Sequence, residues 1–276
     1  MFRLLINLSW MLLVAPAAMG WQLEVGEETL NFNNYNNVTF QQAFPLGVTP
    51  VVVALTPGDR ADPNDEPAVV RIRNVTNTGF EMAIVEPPGS DGRYVTQNET
   101  VQYLAVEPGV HEFPNGDIIE AATISTAAVQ HGSGVPGAES WVTQPLAGGF
   151  PTPPVIVGMP QTTNNEQNPN APGNNQQSFP FVTMAIRNVN AGNFQLANER
   201  SEVNDQPLFF IFQAETLGYI AMENGAGGTF LDNVANTIAY ESFRSGDNVR
   251  GWDNGCYARP TANFLNTYNA TPAAFG

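Results

Sequence analysis

RIRNVTNTGF, residues 71–80, is the stretch that decides the fold, because the chain carries it a second time as AIRNVNAGNF, residues 185–194. In each copy, alternating apolar and polar residues lead into Asn and Gly, and an aromatic residue follows. Strand side chains point to opposite faces in turn, and Asn and Gly tolerate the positive φ of tight turns. The phrase therefore predicts a strand, a tight turn and a second strand that begins with a buried aromatic residue, Phe80 or Phe194.

Only one face of the predicted strand is common to the two copies. Ile72 and Ile186 occupy the shared apolar face, whereas Arg71 on the opposite face corresponds to Ala185. We interpret the shared residues as structural, and we expect function where the copies differ.

Two further pairs of segments extend the repeat. TPVVVAL from Thr49 corresponds to PPVIVGM from Pro153, and YLAVEPG from Tyr103 corresponds to YIAMENG from Tyr219. Short apolar runs lie between turn residues, and no long run has the 3.6-residue period of a helix, so the sequence predicts an all-β protein. The predicted organisation is a signal peptide at 1–20, a first repeat at 21–131, a linker at 132–140, a second repeat at 141–245 and a C-terminal extension at 246–276.

The first twenty residues have the features of a secretory signal. An Arg near the start precedes an apolar run from Leu4 to Val14, and small residues Ala18 and Gly20 precede Trp21. The run is shorter than the roughly 20 residues that a membrane-spanning helix needs. We expect a mature chain that begins at Trp21 and is secreted or held at the cell surface, with no membrane span of its own.

The charge of the chain argues against nucleic acid as a partner. The formal net charge is −16, and the sequence contains no Lys. Phosphate backbones are bound by basic surfaces, so this composition does not suit them. The single Cys256 either stays free, pairs with another chain or pairs with a Cys outside this sequence.

The order F…PVVVAL…RIRNVTNTGF…VQYLAVE resembles the H-type lectin repeat. The phrases IVEPPGSDGRY, YLAVEPGVHEFPNGDIIEA and RGWDNGCYARP are similar to the lectin-like region of MshQ-type proteins, which are exported bacterial proteins associated with type IV pilus gene clusters. The resemblance covers residues 35–125 and, more loosely, 141–264. It implies two tandem antiparallel β-sandwiches, frequent trimerisation, binding of sugars similar to N-acetylgalactosamine, and other surface or pilus subunits as partners.

The chain departs from the family where invertebrate H-type lectins bind sugar. A Thr-Trp-His-like segment follows Gly-Phe in those lectins, whereas this chain has Val85 to Pro88 in the first copy and Asn198 to Arg200 in the second. Pro67 stands where those lectins place a sugar-contacting Arg. The resemblance therefore implies the fold, but the particular sugar site does not transfer.

The sequence offers its own candidate ligand-binding residues in the loop EPPGSDGRY. Carboxylates for hydroxyl groups and an aromatic face for the sugar ring are typical of carbohydrate sites. The alternative is a solvated hairpin tip. Trp141 and Trp252 are either sugar platforms or partly buried core residues. The predicted ligand-binding set is Glu86, Asp91, Arg93 and Tyr94 in this loop, with Arg71 on a neighbouring strand.

Signals for a cofactor or for catalysis are weak. PGDRADPNDEP places Asp59, Asp62, Asp65 and Glu66 close together, which suits Ca²⁺ or a plain acidic loop, but the spacing is not that of an EF-hand. No G-x-S-x-G or H-E-x-x-H motif occurs. We predict no cofactor and no enzymatic activity. The sequence favours a surface protein that recognises glycans and serves adhesion, and the alternative is a structural spacer or assembly subunit of an extracellular filament.

Overall fold

The protein is described by a computed structural model that covers residues 20–31, 34–55, 69–85, 98–130, 139–165, 182–200 and 213–244, with the single residues 264 and 268. These ranges contain fifteen β-strands and no helix, and every pair of neighbouring strands is antiparallel. The prediction of an all-β protein is confirmed.

The strands follow one another in the chain as β1 Leu23–Leu30, β2 Asn36–Thr39, β3 Val51–Leu55, β4 Val69–Arg73, β5 Gly79–Val85, β6 Glu99–Val106, β7 Gly109–Glu112, β8 Ile118–Thr126, β9 Val142–Pro145, β10 Val155–Pro160, β11 Val182–Arg187, β12 Asn193–Arg200, β13 Glu215–Met222, β14 Gly227–Leu231 and β15 Thr237–Glu241.

The sheets repeat the same strand order in two sets of six strands. The first set forms sheets β1-β6-β3 and β2-β5-β4, and the second set forms β8-β13-β10 and β9-β12-β11. The registers correspond as well. Tyr103 of β6 lies opposite Gly26 and Ala54, and Tyr219 of β13 lies opposite Ala122 and Gly158. β7 adds to the edge of β8, and β14 pairs with β15 as a separate hairpin.

β8 joins the two sets of strands. It lies before the predicted linker at 132–140, most of which is outside the described residues, yet it pairs with β13 from Ile119 opposite Met222 to Thr126 opposite Glu215. On its other side it pairs with β7. The second set therefore takes its first strand from the N-terminal side of the predicted linker.

The described residues form three buried apolar clusters, one within each set of six strands and one between the two sets. The first cluster draws on every strand from β1 to β6, and the third draws on every strand from β8 to β13. The second cluster lies between the sets, with buried residues from β1, β3 and β6 on one side and from β8, β13 and β14 on the other. Burial of apolar surface is the main stabilising term in folding, so this second cluster holds the two sets together.

The repeated phrase forms strand, turn and strand in both copies, as predicted. Phe80 and Phe194 are buried, and each packs edge-on against the corresponding tyrosine, Tyr103 at 5.2 Å and Tyr219 at 4.9 Å between ring centroids. Such aromatic pairs contribute about 0.5–1.5 kcal/mol beyond the area they bury. This packing accounts for the aromatic residue that both copies keep.

The turn of the phrase differs from the sequence expectation in one respect. Positive φ occurs at Asn74 and Asn188, directly after the first strand, rather than at the Gly of the turn. Gly79 is required for another reason, because a Cβ there would overlap the carbonyl oxygen of Val38 on the neighbouring strand.

A buried carboxylate bonds to each of the two corresponding tyrosines. The hydroxyl of Tyr103 donates to Glu24 Oε1 at 2.7 Å, and the hydroxyl of Tyr219 donates to Glu120 Oε1 at 2.8 Å. The second oxygen of each carboxylate accepts backbone N–H groups from the segment that leads to the next sheet, Gln41 in the first set and Ala147 and Gly148 in the second. These bonds satisfy the oxygen atoms of both buried carboxylates, so Glu24 and Glu120 link neighbouring segments of the fold.

Candidate functional site

Only Arg71, of the five predicted ligand-binding residues, lies within the described part of the chain. Arg71 on β4 is only 1% exposed, and its guanidinium donates to the carbonyl oxygens of Val182 at 2.6 Å and Thr162 at 3.2 Å. Both acceptors belong to the second set of strands or its connections, so Arg71 joins the two sets. The other predicted residues, Glu86, Asp91, Arg93 and Tyr94, lie outside the described residues, and their role stays a prediction.

The Arg that both copies of the phrase keep lies elsewhere. Arg73 ends β4 and Arg187 ends β11. Each guanidinium lies over the ring of an aromatic residue that directly precedes another strand of the same sheet, β2 in the first set and β9 in the second. Arg73 is 3.7 Å from the ring centroid of Tyr35, and Arg187 is 3.9 Å from that of Trp141. We call these groups the Tyr35 set (Tyr35, Arg73, Glu81) and the Trp141 set (Glu139, Trp141, Arg187, Gln195).

Strand pairing positions both sets in the same way. Arg73 lies opposite Glu81 on β5, and Arg187 lies opposite Gln195 on β12. β9 begins one residue after Trp141 and runs along β12, which brings the indole next to the Arg–Gln pair. Residues directly opposite each other on paired strands have neighbouring side chains, so the register alone sets the Arg beside its partner.

The Tyr35 set is largely enclosed. Arg73 Nε donates to Glu81 Oε2 at 2.6 Å, and the two side chains are 16% and 26% exposed. The carboxylate neutralises the guanidinium within the strand pair, and the aromatic ring covers one of its faces. This copy has the character of a structural ion pair.

The Trp141 set is open to solvent. Arg187 Nε donates to Gln195 Oε1 at 2.9 Å and Nη1 donates to Glu139 Oε1 at 2.7 Å, while the indole N–H of Trp141 donates to the same carboxylate oxygen at 2.7 Å. The side chains of Arg187 and Glu139 are 42% and 58% exposed. A guanidinium, a carboxylate, an amide and an indole thus meet at one exposed point.

Further polar groups continue the Trp141 set along the surface. Asn188, in its positive-φ conformation, donates through Nδ2 to Gln195 Oε1 at 2.8 Å, and Gln195 Nε2 donates to Thr143 Oγ1 at 3.4 Å. Planar amides and a guanidinium supply directed donors and acceptors for hydroxyl groups, and an aromatic ring supplies an apolar surface. The arrangement is suited to noncovalent recognition of a hydroxyl-rich ligand.

The sequence contained part of the signal for this site. It identified Trp141 as either a sugar platform or a core residue, and the structure places the ring at intermediate exposure under Arg187. Trp252 lies outside the described residues. Arg187 is not in the predicted ligand-binding set, because residues that both copies share, such as Arg73 and Arg187, are interpreted as structural. The contact with Trp141 is tertiary and leaves no spacing motif in the sequence.

An apolar cavity of about 260 Å³ lies between the edge strands β3 and β4 of the first set and β10 and β11 of the second. Its lining is aliphatic, with Val53, Val70, Ile156, Met159 and Met184 among the contributing side chains. A sugar site needs convergent polar groups, and the side chains that line this cavity are almost all apolar.

The described ranges contain neither a group of three His, Cys, Asp or Glu side chains that could hold a metal ion nor a helix long and apolar enough to span a membrane. The acidic segment with Asp59, Asp62, Asp65 and Glu66 lies outside those ranges, so calcium binding stays an alternative from the sequence.

Comparison with known proteins gives no relative. No protein-family model matches the chain, and no curated protein or solved structure matches it either. The functional argument therefore rests on the geometry of the chain itself.

Proposed function

We propose that this chain is an exported surface protein that recognises carbohydrate without covalent chemistry and serves adhesion. The observation that carries the proposal is the Trp141 set, in which Arg187, Trp141 and a carboxylate meet on an exposed surface. Proteins bind sugars with few directed polar groups and an aromatic face, and both are present here.

The proposed architecture is a tandem pair of antiparallel β-sandwiches similar to H-type lectins. Two sets of six strands with the same order, each enclosing its own apolar cluster, support this assignment. In this proposal the second sandwich begins with β8 rather than after the linker. Trimerisation and association with pilus subunits are part of the same proposal and follow from the resemblance to H-type lectins and MshQ-type proteins.

A glycan-array screen of residues 21–276 tests the proposed function. Wild type is compared with Trp141→Ala, which removes the platform, and with Leu46→Ala, an exposed position in the first set that serves as the control. A third variant, Asp91→Ala, examines the loop that the sequence predicts as a site. We expect saturable binding that Trp141→Ala loses and Leu46→Ala retains. Loss in Asp91→Ala alone would move the site to the first repeat.

A second candidate function is a rigid spacer or assembly subunit of an extracellular filament. It is favoured by Arg71, which bonds across the two sets, and by the second apolar cluster, which both sets share. A spacer needs a stiff connection between its modules, and these contacts provide one. Absence of binding across the array, from protein that unfolds cooperatively, would favour this function over recognition.

A further inference from the structure

The two Arg sets differ in how the positive charge is balanced. Arg73 has the carboxylate of Glu81 directly opposite on the paired strand, whereas Arg187 has the neutral amide of Gln195 at the corresponding position. The first guanidinium is therefore neutralised inside its own strand pair. The second guanidinium is not.

The charge of Arg187 is balanced by a residue outside the strand pair. Glu139 lies before β9, is 58% exposed, and reaches Arg187 through one bond to Nη1. Arg187 Nη2 has no partner among the described residues. A guanidinium binds carboxylates through two parallel N–H donors, so this one retains donors for a second carboxylate.

We propose that the Trp141 set binds a sugar that carries a carboxylate. The ligand carboxylate accepts hydrogen bonds from the open N–H groups of Arg187 and competes with Glu139 for the N–H of Nη1. Asn188 and Gln195 bind the ring hydroxyls of the sugar. The indole of Trp141 holds the guanidinium in place through a cation–π contact at 3.9 Å from the ring centroid. This inference rests on the proposed function and names the class of its ligand.

The net charge of −16 does not prevent such binding. At physiological ionic strength the electrostatic screening length is about 8 Å, so charges elsewhere on the surface act weakly on a bound ligand. Contacts within the site therefore decide whether a carboxylate is accepted. A single terminal acidic sugar fits this situation better than a long polyanion, which would extend from the site over a protein with a net negative charge.

Calorimetric titration with matched sugars tests the inference. The probes are a sialic-acid-terminated trisaccharide and a glucuronic-acid-terminated disaccharide, each beside its methyl ester, in which the carboxylate carries no charge. We expect one of the acids to bind about tenfold or more tightly than its ester, since charge-assisted bonds to Arg are about twice as strong as neutral ones. The two acids distinguish the sources of the carboxylate.

Two variants of the chain make the test specific. Gln195→Glu reproduces the arrangement of Arg73 and Glu81 in the other copy, so it keeps the fold while it neutralises Arg187, and we expect it to lose the preference for the acid. Glu139→Gln removes the internal competitor and is expected to bind the acid several-fold more tightly. Thermal unfolding of each variant checks that the fold is kept.

The outcomes separate this inference from the proposed function. Equal binding of acid and ester, both lost in Trp141→Ala, would overturn the acidic ligand and leave carbohydrate recognition standing. Retention of the acid preference in Gln195→Glu would also overturn it. Binding of no glycan on the array or in the titrations would overturn both proposals.

Discussion

Replacing Arg71 by Ala is expected to destabilise the fold rather than to remove a ligand contact. The guanidinium is buried and donates to the carbonyl oxygens of Val182 and Thr162. A hydrogen bond from a charged donor contributes about 1.5–3 kcal/mol, and its loss leaves the buried acceptors without a partner. Two such bonds give an expected loss in the free energy of unfolding of about 3–5 kcal/mol.

Arg73→Ala is the matched control, because Arg73 lies two residues away on the same strand with its side chain 16% exposed. Its ion pair with Glu81 is partly exposed rather than fully buried, so we expect its loss to cost about 1 kcal/mol, less than the loss of the two bonds of Arg71. Urea unfolding followed by tryptophan fluorescence measures both changes. In a thermal melt, about 3 kcal/mol corresponds to a fall of roughly 6–12 °C for a protein of this size.

The result that would refute this reasoning is specific. If Arg71→Ala unfolds at the urea concentration of wild type and loses glycan binding, Arg71 is a ligand residue, as the sequence predicts. If Arg73→Ala is the more destabilised variant, the assignment of the crosslink to Arg71 is wrong.

The remaining predictions concern the buried groups of the repeats. Burial raises the pKa of Glu24, partly offset by its bonds from Tyr103 and the backbone. A raised folded-state pKa contributes stability below the unfolded pKa of about 4.3, and that contribution is lost as pH rises through the folded value. Glu24→Gln should therefore lose less stability than wild type between pH 4 and 7 in urea unfolding, and an equal pH dependence would contradict this. Burial and the bonds to Glu24 and Glu120 raise the pKa of Tyr103 and Tyr219 above that of free tyrosine. Burial and a bond to Asp117 raise the pKa of Tyr240 as well. Ultraviolet titration of the folded protein should thus show late ionisation of these three tyrosines, and Tyr103→Phe or Tyr219→Phe should each remove one of them; an unchanged titration curve would be inconsistent with the buried pairs. Gly79→Ala should cost about 1–3 kcal/mol, because its Cβ overlaps the carbonyl of Val38, whereas Gly192→Ala, whose nearest contact is 3.7 Å away, should change stability by less than about 1 kcal/mol. Similar melting temperatures for the two alanine variants would show that β2 can shift to make room.

The features that sequence predicted well are local ones. The all-β class and the strand, turn and strand of RIRNVTNTGF depend on side-chain alternation and on turn residues within about ten positions. Phe80 and Phe194 were expected to be buried, and both are. The sequence also predicts positive φ at the Asn of NTG and NAGN, whereas Asn74 and Asn188 adopt it, three and two residues earlier in the chain.

The candidate site was predicted only in part. Trp141 was recognised as one of two alternatives, but its contact with Arg187 joins residues on strands that are distant in the chain. The sequence places Arg71 in the predicted ligand-binding set because it lies on a strand next to the loop EPPGSDGRY. In the structure the face of that strand that carries Arg71 is covered by the second set of strands, and a β11 carbonyl oxygen accepts a hydrogen bond from the guanidinium of Arg71.

The sequence by itself determined which residues face the apolar side of each strand, where the tight turns lie and that the chain contains a repeat. Neighbouring residues encode a strand's apolar face and a tight turn. Only the tertiary structure decided which strands pair across the repeats. β8 lies before the predicted linker and pairs with β13 after it, and no local pattern distinguishes that partner from another strand of equal length. The same packing buries Arg71 and leaves Arg187 exposed on Trp141. Arg71, which corresponds to Ala185, therefore joins the two sets, and Arg187, which corresponds to Arg73, forms an exposed site, since these roles depend on what packs against each strand.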